Sequence, residues 1–276
     1  MKGYFSLPLL RYNLKSRTKS FIVWSVASLC IFILIVVMFM NLLSSGLPDI
    51  VSNMLQSVPT SVSGEGGAAD TPDFTDFGIN FGACMQVMLI VGCVYACYLG
   101  ASANSNGHGG DSDITFIYSM PISRMGAVIT SFVSQFITLA GYNVIVLLVS
   151  AAVMYSNNKA DYLPEILLAI GAFLLIQTVY MSLGFLFSTF MSSSTQASSV
   201  TAVTVALTVL FGLVGSLATA LKPLTFLSPY KYISVYSIIS GQEQMFFIGI
   251  VASILITIAA LSVSCVRYDK KDFLLD

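Results

Sequence analysis

The chain has 276 residues, of which 56% are hydrophobic and only 9% are charged, and its formal net charge is -1. A water-soluble domain is about a quarter charged, so this composition excludes a soluble globular protein and indicates several segments that span a lipid bilayer. The sequence has no basic cluster of the kind that binds nucleic acid, so no nucleic-acid partner is expected.

The first twenty residues form a basic, amphipathic segment. Leucines recur there at helical spacing, and five of the twelve basic residues of the chain fall in the same stretch. This pattern predicts an interfacial helix over residues 1–20 on the inner leaflet, leading into the first span. The leucines are Leu7, Leu10 and Leu14, and the basic residues are Lys2, Arg11, Lys15, Arg17 and Lys19.

Long apolar runs predict six transmembrane helices and an all-α integral membrane protein. Six spans place both termini on one side of the membrane. If that side is the cytoplasm, nine of the twelve basic residues lie inside, and only Lys159, Lys222 and Lys231 lie outside. Both termini are therefore expected to be cytoplasmic. The predicted spans are 21–43, 79–101, 125–154, 164–190, 197–220 and 244–266.

The loop between spans two and three contains a short apolar helix, predicted over Asp111–Met120. Asp111 or Ser112 can cap its start, Asp113 suits the positive end of the helix dipole, and Pro121 ends it. Such a helix on the cytoplasmic side has nothing in its own membrane domain to bury against, which favours a soluble partner. From these residues alone, a helix lying on the lipid headgroups is equally consistent. Its apolar side chains include Ile114, Phe116, Ile117 and Met120.

The outer segment 221–243 is apolar but is interrupted by Pro223, Pro229 and Gly241, so it is too broken to span the membrane. Apolar backbone that does not span must be buried against protein or enter the leaflet and return. We therefore predict a re-entrant pair of short helices. Its candidate functional residues are Pro223, Phe226, Ser228, Pro229, Tyr230, Tyr232 and Tyr236.

The chemistry of an enzyme is absent from the sequence. The spans carry essentially no ionisable side chains, which argues against ion or proton coupling. No Gly-x-x-x-x-Gly-Lys-Ser/Thr sequence is present, so the chain has no P-loop for ATP. His108 with its neighbouring aspartates makes only a weak metal pattern, and Cys93 and Cys97, four residues apart on one helix face, are interpreted as packing residues. No cofactor or metal is expected in this chain.

Uncharged polar residues are plentiful in the spans. Such side chains hydrogen-bond across helices, and neighbouring small residues let helices approach closely. They can serve packing within the chain, or line a pathway or a subunit interface. They include Asn80, Gln86, Gln135, Asn143, Gln177 and Gln196.

Taken in order, these features resemble those of the ABC-2-type permeases, the membrane subunits of ATP-driven bacterial exporters. The resemblance covers nearly the whole chain. It includes the N-terminal amphipathic helix, six spans and a cytoplasmic helix ending Tyr-Ser-Met-Pro-Ile-Ser-Arg at residues 118–124. An outer Leu-Ser-Pro-Tyr at 227–230 precedes span six, and a charged tail starts at Arg267.

The resemblance implies a half-transporter in the bacterial plasma membrane. A second permease copy, identical or different, would complete the pathway, and a separate ATPase subunit would bind ATP and Mg. Substrates of the family include amphipathic peptides, antibiotics, lipids and polysaccharides. An apolar pathway without charges fits an amphiphile better than a long polar glycan, which favours a hydrophobic or amphipathic peptide or an antibiotic here. The alternatives are an ATP-independent secondary transporter and a non-transporting immunity or sensor subunit. The resemblance assigns coupling to the ATPase to Asp111, Asp113, Ile114, Phe116, Ile117, Met120, Pro121 and Arg124.

Overall fold

The fold is a bundle of six long α-helices, seen in a computed structural model that describes residues 6–44, 77–103, 123–191, 193–215, 219–232, 238 and 244–269. Three short 3-10 helices cover Ala160–Tyr162, Thr219–Leu227 and Pro229–Lys231, and these described residues contain no strand. The all-α prediction is therefore confirmed. The long helices are α1 (Leu7–Ser44), α2 (Phe77–Ala101), α3 (Arg124–Ser156), α4 (Leu163–Phe190), α5 (Ser194–Gly215) and α6 (Gln244–Asp269).

In the part of the chain that is described, six helices are long and apolar enough to cross a membrane, as the sequence predicts. Consecutive helices run in opposite directions. The start of α1, the end of α2 and the start of α3 meet at one end of the bundle, which is called the N-terminal end below. The 3-10 helices lie at the opposite end, which is called the distal end.

The predicted interfacial helix and the first span form one continuous helix, α1. The reason is that residues 9–45 contain neither glycine nor proline, and Pro8 lies in the first turn, where its missing N–H costs nothing. Ser6 caps this turn, because its Oγ accepts from the Leu9 N–H at 3.4 Å; its carbonyl oxygen also accepts the first helical bond, from the Leu10 N–H at 3.0 Å.

Much of the outer segment forms 3-10 helices rather than an α-helix. α5 ends at Gly215, before the predicted residue 220, and the chain continues as the two 3-10 helices of residues 219–231. Pro223 and Pro229 account for this geometry, since neither can donate the backbone hydrogen bond that an α-helix interior requires. Two short helices are therefore present over part of the segment predicted to be re-entrant.

The core of the bundle lies between α2 and α4, which are the most buried of the spans. An aromatic series joins the neighbouring helices to it: the Trp24 and Tyr95 rings lie 5.4 Å apart and the Tyr95 and Tyr142 rings 5.1 Å apart. Such tilted pairs add about 0.5–1.5 kcal/mol beyond the burial of their surface. In contrast, α1 and α6 expose large apolar side chains such as Leu34 and Leu255, as suits contact with lipid.

Glycines permit the closest approach between α2 and α4. A Cβ atom at Gly184 would lie 2.6 Å from the Cys97 carbonyl oxygen and 3.0 Å from the Ala101 nitrogen. From the other side, a Cβ at Gly100 would meet the backbone of Met181 and Phe185. The two backbones therefore pack against each other directly, as small residues allow in membrane helices.

Candidate functional site

The residues predicted to dock an ATPase fall mostly outside the described residues. Arg124 is the first residue of α3, and the structure describes the two helix ends that flank the segment 104–122. α2 ends at Ala101, and α3 starts after Ser123, whose Oγ accepts from the Gly126 N–H at 3.0 Å. The predicted residues outside the described ranges are Asp111, Asp113, Ile114, Phe116, Ile117, Met120 and Pro121.

Arg17 makes three hydrogen bonds to α2 and the residue that follows it, at the N-terminal end of the bundle. Its Nη1 donates to the Leu99 carbonyl oxygen at 3.3 Å and to the Ser102 Oγ at 2.9 Å, and its Nη2 donates to the Ser102 carbonyl oxygen at 3.2 Å. The carbonyls at a helix C-terminus lack partners within the helix and carry its negative partial charge. A guanidinium on α1 therefore caps the C-terminal end of α2.

The same stretch of α1 also contacts the start of α3. The Ser6 N–H donates to the Thr130 Oγ1 across 3.4 Å, and Thr130 in turn donates to the Gly126 carbonyl oxygen at 2.7 Å. Leu9, one turn further along α1, is almost fully buried. The N-terminal turns of α1 thus bridge both helices that flank the segment 104–122.

At the distal end, Ser228, Pro229 and Tyr230 of the predicted site are inserted into the bundle. All three are buried, and Tyr230 belongs to the main hydrophobic core. The Tyr230 phenol hydrogen-bonds the Gln86 side chain of α2. Burial raises the pKa of this phenol, and the bond with Gln86 offsets part of the rise.

A hydrogen-bonded series continues from Tyr230 into two further helices. The Tyr180 hydroxyl of α4 bonds the Tyr230 backbone and lies 2.9 Å from the Thr208 Oγ1 of α5. Buried polar groups in an apolar bundle are costly unless paired, so this series fixes the position of the outer segment against α2, α4 and α5.

Other residues predicted for the outer site are not buried in the bundle as Ser228, Pro229 and Tyr230 are. Pro223 and Phe226 are exposed, and the Tyr232 hydroxyl donates to the Phe226 carbonyl oxygen at 2.7 Å. Tyr236 lies outside the described residues. The structure therefore divides the predicted set into a buried anchor, Ser228–Tyr230, and an exposed part around Phe226.

Two glycines allow the outer segment to pack closely against α5 and α6. A Cβ at Gly212 of α5 would lie 2.6 Å from the Ser228 Oγ, and one at Gly249 of α6 would lie 3.0 Å from the Tyr232 Cβ. No local sequence pattern predicts which glycine faces which loop, so sequence reasoning missed both contacts.

Replacing Tyr230 with Phe tests the anchor. The change keeps the ring and removes the phenol that pairs with Gln86, so the variant should lose about 1–3 kcal/mol of stability. Thermal unfolding of the purified protein in detergent measures it as a lower Tm. The matched control is Tyr155→Phe, because Tyr155 is exposed at the distal end of α3. Equal Tm values for the two variants would contradict the anchor.

Inside the bundle, the predicted polar residues are partly paired. The Asn143 Nδ2 of α3 donates to the Gln177 Oε1 of α4 at 2.6 Å and to the Leu139 carbonyl oxygen at 3.0 Å. A Cβ at Gly92 of α2 would collide with the Gln177 amide, so the pair is packed against a third helix. Gln135 is also buried, but its amide has no hydrogen-bond partner among the described residues.

The cysteine pair behaves as packing residues do. Cys93 and Cys97 are both buried in α2, and the Cys97 Sγ donates to the Tyr180 carbonyl oxygen at 3.6 Å. Among the described residues, no group of three or more metal-ligating side chains comes together. His108 lies outside that part of the chain.

Comparison with known proteins gives one match. A family model described as ABC-2 family transporter protein matches residues 9–273, which include all six spans and the outer segment. No curated protein and no solved structure matches the chain. Because the family model covers nearly the whole chain, and the six apolar helices suit a membrane permease, the chain belongs to the ABC-2 family of transporter proteins.

Proposed function

We propose that this chain is the membrane-spanning subunit of an ABC exporter, paired with a second permease copy and driven by a separate ATPase subunit. The family match over residues 9–273 carries the proposal, since the family is that of transporter membrane components. The sequence lacks a P-loop, so the ATP and its Mg would be bound by the partner.

Coupling to the ATPase is assigned to the segment 111–124. Its apolar residues Ile114, Phe116, Ile117 and Met120 lie between an acidic start and Pro121. The structure supports this assignment indirectly: both flanking helix ends lie at one end of the bundle and are held there by contacts with α1. A groove on the ATPase would bury the apolar side chains and transmit its closing motion to α2 and α3.

The substrate that fits best is an amphiphile, with a hydrophobic or amphipathic peptide or antibiotic as the leading class. The sequence has no acidic or basic residue over the central turns of its spans. Uncharged polar groups such as the Asn143–Gln177 pair occur there instead. Such an interior offers little to a charged, strongly hydrated solute and much to an apolar surface with a few hydrogen-bonding groups.

The test is purification of the tagged full chain from its own membranes in a mild detergent. We expect a co-purifying protein that contains a P-loop and hydrolyses ATP, and ATP-dependent uptake of a dansyl-labelled amphipathic peptide by inverted vesicles. Uptake that persists without ATP would contradict the proposal and favour a secondary transporter. Peptide binding with no transport would instead favour an immunity or sensor subunit.

Membrane orientation gives a separate prediction. With both termini cytoplasmic, a cysteine replacing Lys231 should react from outside intact cells with an impermeant thiol reagent, whereas one replacing Asp272 should react only after the cells are opened. The physical basis is the excess of basic residues on the side of the termini. Labelling of the Asp272 position in intact cells would reverse the topology.

A further inference from the structure

Arg17 and its contacts are not explained by packing or by membrane topology alone. Among the described basic residues of the N-terminal arm, Arg11, Lys15 and Lys19 are exposed, whereas Arg17 is half-buried and turned onto α2. Three hydrogen bonds from one guanidinium join residues 82 to 85 positions apart in the chain. The three bonds link α1 to the end of α2 through a single side chain.

Arg17 contacts α2 at its C-terminal end. Its acceptors are Leu99 and Ser102, on either side of the last helical residue, Ala101. The next described residue after Ala103 is Ser123, which caps α3. Since Ser6, the residue that caps α1, touches Thr130 of α3, the N-terminal part of α1 bridges the two flanks of the cytoplasmic segment.

The chemistry requires a guanidinium rather than just a positive charge. A planar fork can donate to a carbonyl and a hydroxyl at the same time and keeps its charge when enclosed. A lysine ammonium is a compact point donor and reaches such a spread of acceptors less well. Charged donors also make the stronger hydrogen bonds and favour the negative end of a helix dipole.

We propose that Arg17 is a positioning residue for energy coupling: by fixing the C-terminal end of α2 to α1, it makes the two helices move as one body when the ATPase acts on the cytoplasmic segment. This inference rests on the proposed function. Without the contact, the ATPase still binds, but its motion is absorbed at the end of α2 and does not reach the spans.

The test measures the distance between nitroxide labels at Val87 of α2 and Leu148 of α3, which are exposed and lie inside the spans beyond the Arg17 contact, in the full complex with its ATPase. The labels are attached through unnatural amino acids, because the chain has five cysteines of its own. In the natural sequence, trapping the ATPase with ATP and vanadate should shift this distance. In Arg17→Gln the shifted fraction should fall roughly tenfold, as the loss of charge-assisted hydrogen bonds implies, while the ATPase content stays unchanged.

Two further variants separate the contact from its charge. Arg17→Lys keeps the charge and should restore part of the shift. Lys19→Gln removes one exposed positive charge from the same helix and should behave as the natural sequence does. If Arg17→Gln does not fold, Ser102→Ala keeps the cation, removes one acceptor and should give a smaller loss of the shift.

A normal shift in Arg17→Gln, or in Ser102→Ala where that variant stands in for it, would overturn the inference. An equal loss of the shift in Lys19→Gln would do so as well, because the cause would then be net charge. These outcomes differ from failure of the proposed function, in which the natural chain brings down no ATPase. In that case the inference fails with it.

Discussion

Replacing Gly184 with Leu is expected to abolish the folded bundle. The backbones of α2 and α4 are in direct contact at this point, and even a Cβ atom would lie 2.6 Å from the Cys97 carbonyl oxygen. Backbone atoms cannot move aside as a flexible side chain can, so the helices must separate along the core. Overpacking of this kind costs about 1–3 kcal/mol for an added methyl or two, and more for a side chain of four carbons.

Gly171 provides the matched control, since it belongs to the same helix and, apart from its own stretch of that helix, no described atom lies within 4 Å of the position that a Cβ would occupy. Gly171→Leu should therefore unfold at or above the natural temperature, because glycine in a helix interior is about 1 kcal/mol worse than alanine. Gly184→Ala should be intermediate. Size-exclusion profiles and thermal unfolding in detergent measure all three. A monodisperse Gly184→Leu variant with natural Tm would mean that α2 and α4 do not meet as described.

Replacing Ile117 with Asp is expected to release the ATPase from the permease without unfolding the spans. Burying Ile117 and Phe116 in a partner groove contributes about 3–6 kcal/mol before the costs of association. An unpaired carboxylate in such a groove is costly, whereas the same group in water costs the isolated permease little. The loss should be about 2–4 kcal/mol, or ~30- to 1000-fold in affinity.

Ser119→Asp adds the same charge to the same segment. At helical spacing, position 119 lies away from the side of Ile114, Ile117 and Tyr118, so this variant should retain the ATPase. Replacement of Arg124, beyond Pro121, should weaken coupling less than Ile117→Asp does. Co-purification of the ATPase, its hydrolysis rate and the Tm of the permease are measured for each variant. Natural ATPase content in Ile117→Asp would show that the segment is only a connector on the headgroups.

The spans were predictable because lipid leaves a chain few options. Every backbone polar group must be paired within the segment, so a long apolar run without charges becomes a helix. The bounds of α2, α3 and α4 agree with the predicted spans to within two residues at each end. The sequence could also have predicted that α1 is one continuous helix, because residues 9–45 contain neither glycine nor proline.

The contact of Arg17 with the bundle could have been predicted from the sequence. The interpretation of residues 1–20 as an interfacial helix did not consider which face of α1 is polar. Leu9, Arg17, Ser28 and Phe32 share the face of α1 that is turned toward the bundle. Polar groups on a helix otherwise surrounded by lipid turn toward protein, so the polar members of this face indicate its contact side. Reading residues 1–20 as a surface helix assigned Arg17 to the headgroups instead.

The contacts between distant elements could not be predicted. Nothing near Gly184 in the sequence indicates that it faces Gly100, and nothing near Tyr230 indicates that its phenol reaches Gln86. These pairings depend on how the six helices pack against one another. That packing is determined by the side chains of all six helices together rather than by the local sequence pattern of any one of them. The Ser-Pro-Tyr stretch could be identified as structurally special, but its role as a buried anchor came from the fold.

The most direct test of the central claim, that a separate ATPase docks on the segment 111–120, is photo-crosslinking from position 117 in native membranes. A photoreactive amino acid replaces Ile117, and a second sample carries it at Ser119. We expect a crosslink from position 117 to a P-loop ATPase, a much weaker one from position 119, and a change in yield when ATP and vanadate are added. Crosslinks from position 117 to lipid alone, in membranes that contain the ATPase, would contradict it.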